Sequence, residues 1–162
     1  MFDAADIRHL PKTALYDELA RQLDGLLHGE RDLIANLANA SALIFQSLPD
    51  LNWAGFYLVK EGELVLGPFQ GRTACIRIAI GQGVCGTAVS QARTQLVPDV
   101  HAFPGHIACD SASASELVVP LILDGEVKAV LDLDSPRLAR FDAADAAGCE
   151  RLVEVLLRHV TL

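Results

Sequence analysis

The chain has 162 residues, 51% of them hydrophobic and 21% charged, a globular composition long enough to bury a core. Its 13 Lys and Arg against 21 Asp and Glu leave a net charge of −8 without any basic run, which excludes the phosphate-neutralising surface that nucleic acid requires. No apolar run nears the ~20 residues of a membrane helix. The acidic opening MFDAADIRHLPK also lacks the basic and apolar regions of a secretion signal, so a soluble cytoplasmic protein is expected.

The elements follow from spacing and punctuation. Leu15, Leu19, Leu23 and Leu26 recur at helical intervals after a capping position near Thr13, with Gly29 as the stop. A second helix over about 30–47 carries Leu33, Leu37, Ala40, Ile44 and Leu48 on one stripe before Pro49. NWAGFYLV (52–59) alternates as a strand, with Trp53, Gly55 and Tyr57 on one face and Ala54, Phe56 and Leu58 on the other. Glu61-Gly62 turns it into a strand over 63–66. Further strands are expected over 75–80 and 95–97, with a short helix over 86–91 between them.

ELVVPLIL (116–123) reads as a buried strand, joined by a tight Asp124-Gly125 turn to EVKAVLDLD (126–134). A last helix over about 142–160 gathers Cys149, Leu152, Val153, Leu156 and Val160 on its apolar side, a surface compatible with a homodimer. There is no internal repeat and no linker. One α+β domain over 1–162 is expected, with a central antiparallel sheet and helices packed on it.

The stretch 81–116, GQGVCGTAVSQARTQLVPDVHAFPGHIACDSASASE, breaks this regularity with glycines and prolines and holds Cys85, Cys109, His101 and His106, with Cys75 just upstream. Long punctuated loops between strands are more often binding segments than connectors. Four cysteines in a chain read as cytoplasmic point to catalytic, redox or buried thiols rather than a structural disulfide framework.

NWAGFYL, GPFQG, CIRI…GQGVCGTAV, DVHAFPGHIACDS and VLDLDSP resemble the free methionine-(R)-sulfoxide reductases, enzymes built on a single GAF domain. The likeness runs from about Asn52 to Pro136. Nine and then twenty-three residues lie between successive cysteines, each cysteine within its own flanking pattern. The resemblance implies attack by Cys109 on the sulfur of free L-methionine-(R)-sulfoxide, release of methionine, and a sulfenic acid. Resolution to a disulfide by Cys75 is implied, with Cys85 as a secondary thiol, and reduction by thioredoxin (dithiothreitol in vitro). No bound cofactor and no metal are implied.

The residues give the same chemistry a physical basis. Sulfoxide reduction needs a thiolate, a proton for the departing oxygen and a second thiol. His106, three residues before Cys109, supplies an imidazolium able to lower a thiol pKa. Cys85, just ahead of a helix opened by Gly86-Thr87, sits where the helix dipole favours a thiolate. Cys149, on the apolar stripe of the last helix, is core filler.

Asp132 and Asp134 share the strand face opposite Leu131 and Leu133. By family pattern Glu116 joins them. Crowded carboxyl groups do not all ionise, so one has a raised pKa and serves as proton donor, Glu116 or Asp134. An ionised carboxylate binds the substrate ammonium, Trp53 and Tyr57 wall the methyl-sulfinyl group, and backbone N–H groups of Cys109, Asp110 and Ser111 hold the substrate carboxylate.

A tight turn at Asp124-Gly125 sets Leu123 against Glu126 and Leu117 against Asp132, which points Glu116 away from the aspartates. A bulge or pairing break between Glu116 and Pro120 is therefore expected.

Three other readings compete. Zinc on His106, Cys109, Cys75 and Cys85 lacks a Cys-x-x-Cys pair. A non-catalytic GAF sensor of a small molecule or redox state would be joined to an output domain and needs no such cysteines. A serine hydrolase lacks Gly-x-Ser-x-Gly.

Overall fold

Two hairpins form the middle of the sheet, and both close through turns set by their sequence. Glu61 and Gly62 have φ of 53° and 84°, Asp124 and Gly125 of 53° and 80°. Positive φ at both central residues is the mirror-image turn whose twist matches that of paired strands. The first hairpin joins β1 (Trp53–Lys60) to β2 (Glu63–Gly71), the second β5 (Ser115–Leu123) to β6 (Glu126–Ser135). The computed structural model describes residues 4–107 and 111–161.

β3 (Arg77–Ala79) and β4 (Gln95–Val97) flank the hairpins in a six-stranded sheet of order β3-β2-β1-β6-β5-β4. Every pairing is antiparallel. The remaining elements are α1 (Lys12–Leu27), α2 (Leu33–Ser47), α3 (Gly83–Gln91), a 3₁₀ turn over Val100–Ala102 and α4 (Ala143–Leu157). The α+β expectation holds. None of these helices is long and apolar enough to cross a membrane.

Alternation along the strands gives the sheet two unlike faces. Ala54, Phe56 and Leu58 of β1, Leu117, Val119 and Leu121 of β5, and Ala129, Leu131 and Leu133 of β6 are buried beneath α1, α2 and α4 in one apolar core. Trp53, Tyr57, Val118 and Val130 point the other way and pack with Val84, Cys85 and Ala88 of α3.

Several boundaries differ from those read in the chain. Asp32 starts α2 by accepting a hydrogen bond from Ala35 N at 2.8 Å, so 30–31 stay outside the helix. Pro11, rather than Thr13, precedes the first turn of α1, and Leu27 fills the stripe position while Leu26 is only half-buried. β2 runs on to Gly71 through Pro68, which lies where the β1–β2 register shifts between Gly55 and Tyr57. A bulge tolerates the missing N–H of proline.

α4 ends at Leu157, three residues short of the expectation, behind a capping box formed by Asp142 and Asp145. The apolar side of α4, from which a homodimer was inferred, is occupied within the chain, with Cys149, Leu152 and Leu156 in the core.

Candidate active site

The acids meet because of one register shift. Leu123 does pair with Glu126, but the shift falls between Leu121 and Ile122, so Leu121 faces Ala129. Lys128 is the extra residue. From there the ladder is regular and sets Glu116 opposite Asp134 and Val118 opposite Asp132. The expected break between Glu116 and Pro120 is therefore misplaced. The bulge sits beside the turn, where the strong twist of a hairpin end accommodates an extra residue. β1 lies on the other side of β6, with Gly55 opposite Asp132 and Trp53 opposite Asp134. Trp53, Tyr57, Glu116, Asp132 and Asp134 thus share one face and line one pocket.

Rings and a helix close the pocket. Trp53 stacks on Tyr57 with centroids 5.9 Å apart and on Phe69 at 5.2 Å. Trp53 Nε1 donates to Arg72 O at 3.1 Å and Tyr57 Oη to Cys75 O at 2.9 Å, which ties the segment after β2 over the aromatic wall. Gly55 leaves the room these rings need, since a Cβ there would come within 2.3 Å of Phe69 Cβ. Asn52 Nδ2 donates to Ser113 Oγ at 3.0 Å at the rim.

α3 begins at Gly83, three residues earlier than expected, so Cys85 lies within its first turn and not ahead of it. No described side chain caps this end, and Gly83 and Val84 line the pocket. Gly86 lets the turn press on β3: a Cβ there would lie 2.4 Å from Ala79 O.

The thiols separate clearly. Cys75, half-buried just ahead of β3 and not inside a strand, is disulfide-bonded. Cys85 and Cys149 are free and buried. Cys109 and Asp110 lie outside the described residues, and Ser111 is exposed in a turn. Cys149 sits in the apolar core with its thiol pushed up to about 12 by burial, as core filler should be.

Burial governs the electrostatics. Glu116 is held well above the carboxylate range by desolvation, then by Asp132 and Asp134. Asp132 is raised to about 7 by desolvation. Two such carboxyl groups cannot both ionise, and no Lys or Arg lines the pocket among the described residues. Asp132 Oδ1 is buried without a hydrogen-bond partner among them.

Cys85 Sγ lies 3.9 Å from Glu116 Oε1, and its thiol is pushed well up by burial and then by the charges of Asp132 and Glu116. This reverses the thiolate expected from the helix dipole, because desolvation beside acids outweighs it. His106 lines the pocket too, but burial and then His101 lower its pKa, so it is no ready imidazolium.

Thr73, Ala74, Ile78, Gly83, Ile107 and Ser113 also line the pocket and were not singled out in the sequence. Gly83 lies inside GQGVCG, Ile78 inside CIRI and Ile107 inside DVHAFPGHIACDS; the φ of Gly83 is 61°, and a Cβ there would meet Ile107 at 3.3 Å. The cavity encloses about 40 Å³.

The GAF domain family matches residues 35–156. The free methionine-R-sulfoxide reductase of Escherichia coli (strain K12) is 51% identical over 145 residues, covering 90% of this chain and 88% of that one. The enzyme of the same name from Saccharomyces cerevisiae is 45% identical, with 91% and 87% covered. Among solved structures, the free methionine-R-sulfoxide reductase of Neisseria meningitidis in complex with its substrate superposes with a TM-score of 0.94 at 45% identity, over 98% of this chain and 95% of that one.

Proposed function

The chain belongs to the GAF domain family and within it to the free methionine-R-sulfoxide reductases, and from that premise we propose how its own residues reduce free L-methionine-(R)-sulfoxide to methionine. The observation that carries the reading is the pair of buried, proton-holding carboxyl groups, Glu116 and Asp132, in one pocket, together with a disulfide-bonded Cys75 whose carbonyl accepts from Tyr57 Oη of the pocket wall. Sulfoxide cleavage needs both a proton and a pair of thiols.

Cys109 is assigned as nucleophile and attacks the sulfoxide sulfur while Glu116 protonates the oxygen. The oxygen passes to Cys109 as a sulfenic acid, methionine leaves, and Glu116 regains a proton from solvent. The Cys75 thiol then displaces water from that sulfenic acid and a disulfide forms. Among the described residues Cys75 is disulfide-bonded and Cys85 and Cys149 are free. An external dithiol, thioredoxin in a cytoplasmic setting and dithiothreitol in vitro, returns both thiols. No bound cofactor takes part.

Of the two candidates for proton donor, Glu116 is preferred because burial and then Asp132 and Asp134 keep it protonated beside the pocket; Asp132 and Asp134 receive the substrate ammonium. The substrate carboxylate is assigned to backbone N–H groups of residues 109–111 with the uncapped first turn of α3. Trp53 and Tyr57 wall the methyl group. Cys85, read from the sequence as a catalytic thiol, is assigned to the pocket floor beside Glu116.

Turnover of free methionine sulfoxide with dithiothreitol tests the reading. Cys109→Ser loses at least ~10³-fold in kcat, as removal of a nucleophile does. Cys75→Ser, reduced beforehand and assayed without dithiothreitol, releases one methionine per molecule and then stalls with a trappable sulfenic acid. Binding of the sulfoxide without any turnover by the wild-type protein would return the chain to the sensor reading.

A further inference from the structure

The floor of the pocket has a second capacity. Cys85 Sγ and one carboxylate oxygen each of Glu116 and Asp132 all lie within 4.8 Å of one another, and all three residues are buried. We propose that Cys85, Glu116 and Asp132 form a site for one thiophilic divalent cation, zinc being the biological candidate, and that its occupancy excludes the sulfoxide. The binding half stands on geometry alone; the exclusion half rests on the reading of this pocket as the substrate site.

Tetrahedral zinc, with Zn–S of about 2.3 Å and Zn–O of about 2.0–2.2 Å, sets its ligand atoms roughly 3.4–3.6 Å apart. The Cys85–Glu116 pair, at 3.9 Å, is already near that spacing, and no pair, all being within 4.8 Å, has to close by more than about 1.5 Å. Side-chain rotation covers such a distance without moving β5, β6 or α3.

Asp132 supplies the independent sign. It is 6% exposed, and its Oδ1 accepts no hydrogen bond from any described residue. A buried carboxylate oxygen without a donor leaves a position where a cation gains more than a water does.

The donor set selects the ion. One thiol and two carboxylates are too few and too soft for calcium or magnesium, which take six or more oxygens or keep most of their water. They match a zinc site that keeps one open position. This set differs from the His106, Cys109, Cys75 and Cys85 combination weighed in the sequence; only Cys85 is common to both. The ligands bind deprotonated, so uptake releases protons to the buffer and involves no redox step.

The test uses the protein with its Cys75 disulfide intact, which removes that thiol as a competing ligand. Titration with cadmium is expected to give a sulfur-to-metal charge-transfer absorption saturating at one equivalent, and zinc is expected to raise the melting temperature. Cys85→Ser abolishes the absorption, and Asp132→Asn raises Kd at least ~10-fold, since even outer-shell changes cost about 10–100-fold. Cys149→Ala, altered in the opposite core, keeps both signals. Metal-free melting curves show that each variant is folded. Absorption that survives in Cys85→Ser, no absorption in wild type, or an unchanged Kd in Asp132→Asn overturns the site.

For exclusion, zinc is titrated into the Cys75→Ser/Cys109→Ser double variant with and without free methionine sulfoxide. The apparent Kd rises in proportion to the sulfoxide; an unchanged Kd overturns the exclusion. Turnover by the wild-type protein in the presence of a chelator judges the reductase reading separately.

Discussion

Leu131 and Asp132 are neighbours on β6, and both are buried, yet they lie in different chemical worlds. Leu131 enters the apolar core beneath α1, α2 and α4, and Asp132 enters the pocket with Tyr57, Cys85 and Glu116. The first face has a buried acid of its own, Asp145 of α4, and it is fully served. Tyr16 Oη donates to it at 2.9 Å, Lys12 Nζ at 2.8 Å, Arg140 Nη1 at 3.3 Å and Asp142 N at 2.9 Å. Asp132 has no basic side chain beside it among the pocket's described residues and keeps an oxygen unpartnered. Where the fold needs a carboxylate, it surrounds it with donors. Where donors are withheld, the carboxyl group holds its proton and is ready for a ligand.

Substitutions on the two faces should therefore fail in different ways. The largest effect expected is on chemistry: Glu116→Gln, which keeps the shape of the side chain but cannot release a proton, lowers kcat about 10²–10⁴-fold without lowering the melting temperature. If its turnover stayed near that of the wild type, the proton donor would have to be another group.

Leu131→Ala, one residue from the site acids but on the other face, costs about 2–5 kcal/mol of stability by denaturant titration. Turnover per folded molecule is retained. Arg140→Met withdraws one partner of Asp145 and costs about 2–3 kcal/mol, below the range for an abandoned buried charge because Lys12 and Tyr16 remain. A loss of activity larger than the loss of folded protein in either variant would break the separation of the faces.

The smallest effect has the opposite sign. Asp132 binds its proton up to about pH 7 when folded, against an ordinary value of 3.8. Between those values the native state holds more protons than the unfolded one, so stability falls as pH rises through that window, and the deficit is complete above it. Asp132→Asn removes the deficit. Melting curves should place the variant above wild type at pH 8, with the gap closing near pH 4. A variant less stable than wild type at pH 8 would mean that the carboxyl group supports the fold.

Both hairpin turns, the alternating faces of β1 and β6, the role of Cys149 and the pairing of Asp132 with Asp134 on one face were legible in the chain. Each depends on residues close together in sequence, such as Asp124-Gly125 or Leu131 next to Asp132. Likeness to known motifs added Glu116 to the acids, while the local register argued against it. The sequence also suggested the wrong state for two groups, a thiolate at Cys85 and an imidazolium at His106, because near neighbours alone cannot report desolvation.

By itself, then, the chain determined the order of strands and helices, the two-sided pattern of the sheet and the kinds of side chain available for chemistry, since backbone turn preference and period-two alternation act over a few residues. Tertiary structure decided that Glu116 stands opposite Asp134, through an extra residue at Lys128, and that Cys85 and Asp132 are driven to hold their protons. Those outcomes depend on which distant segments exclude water from one another, a property of packing that no short stretch of chain contains.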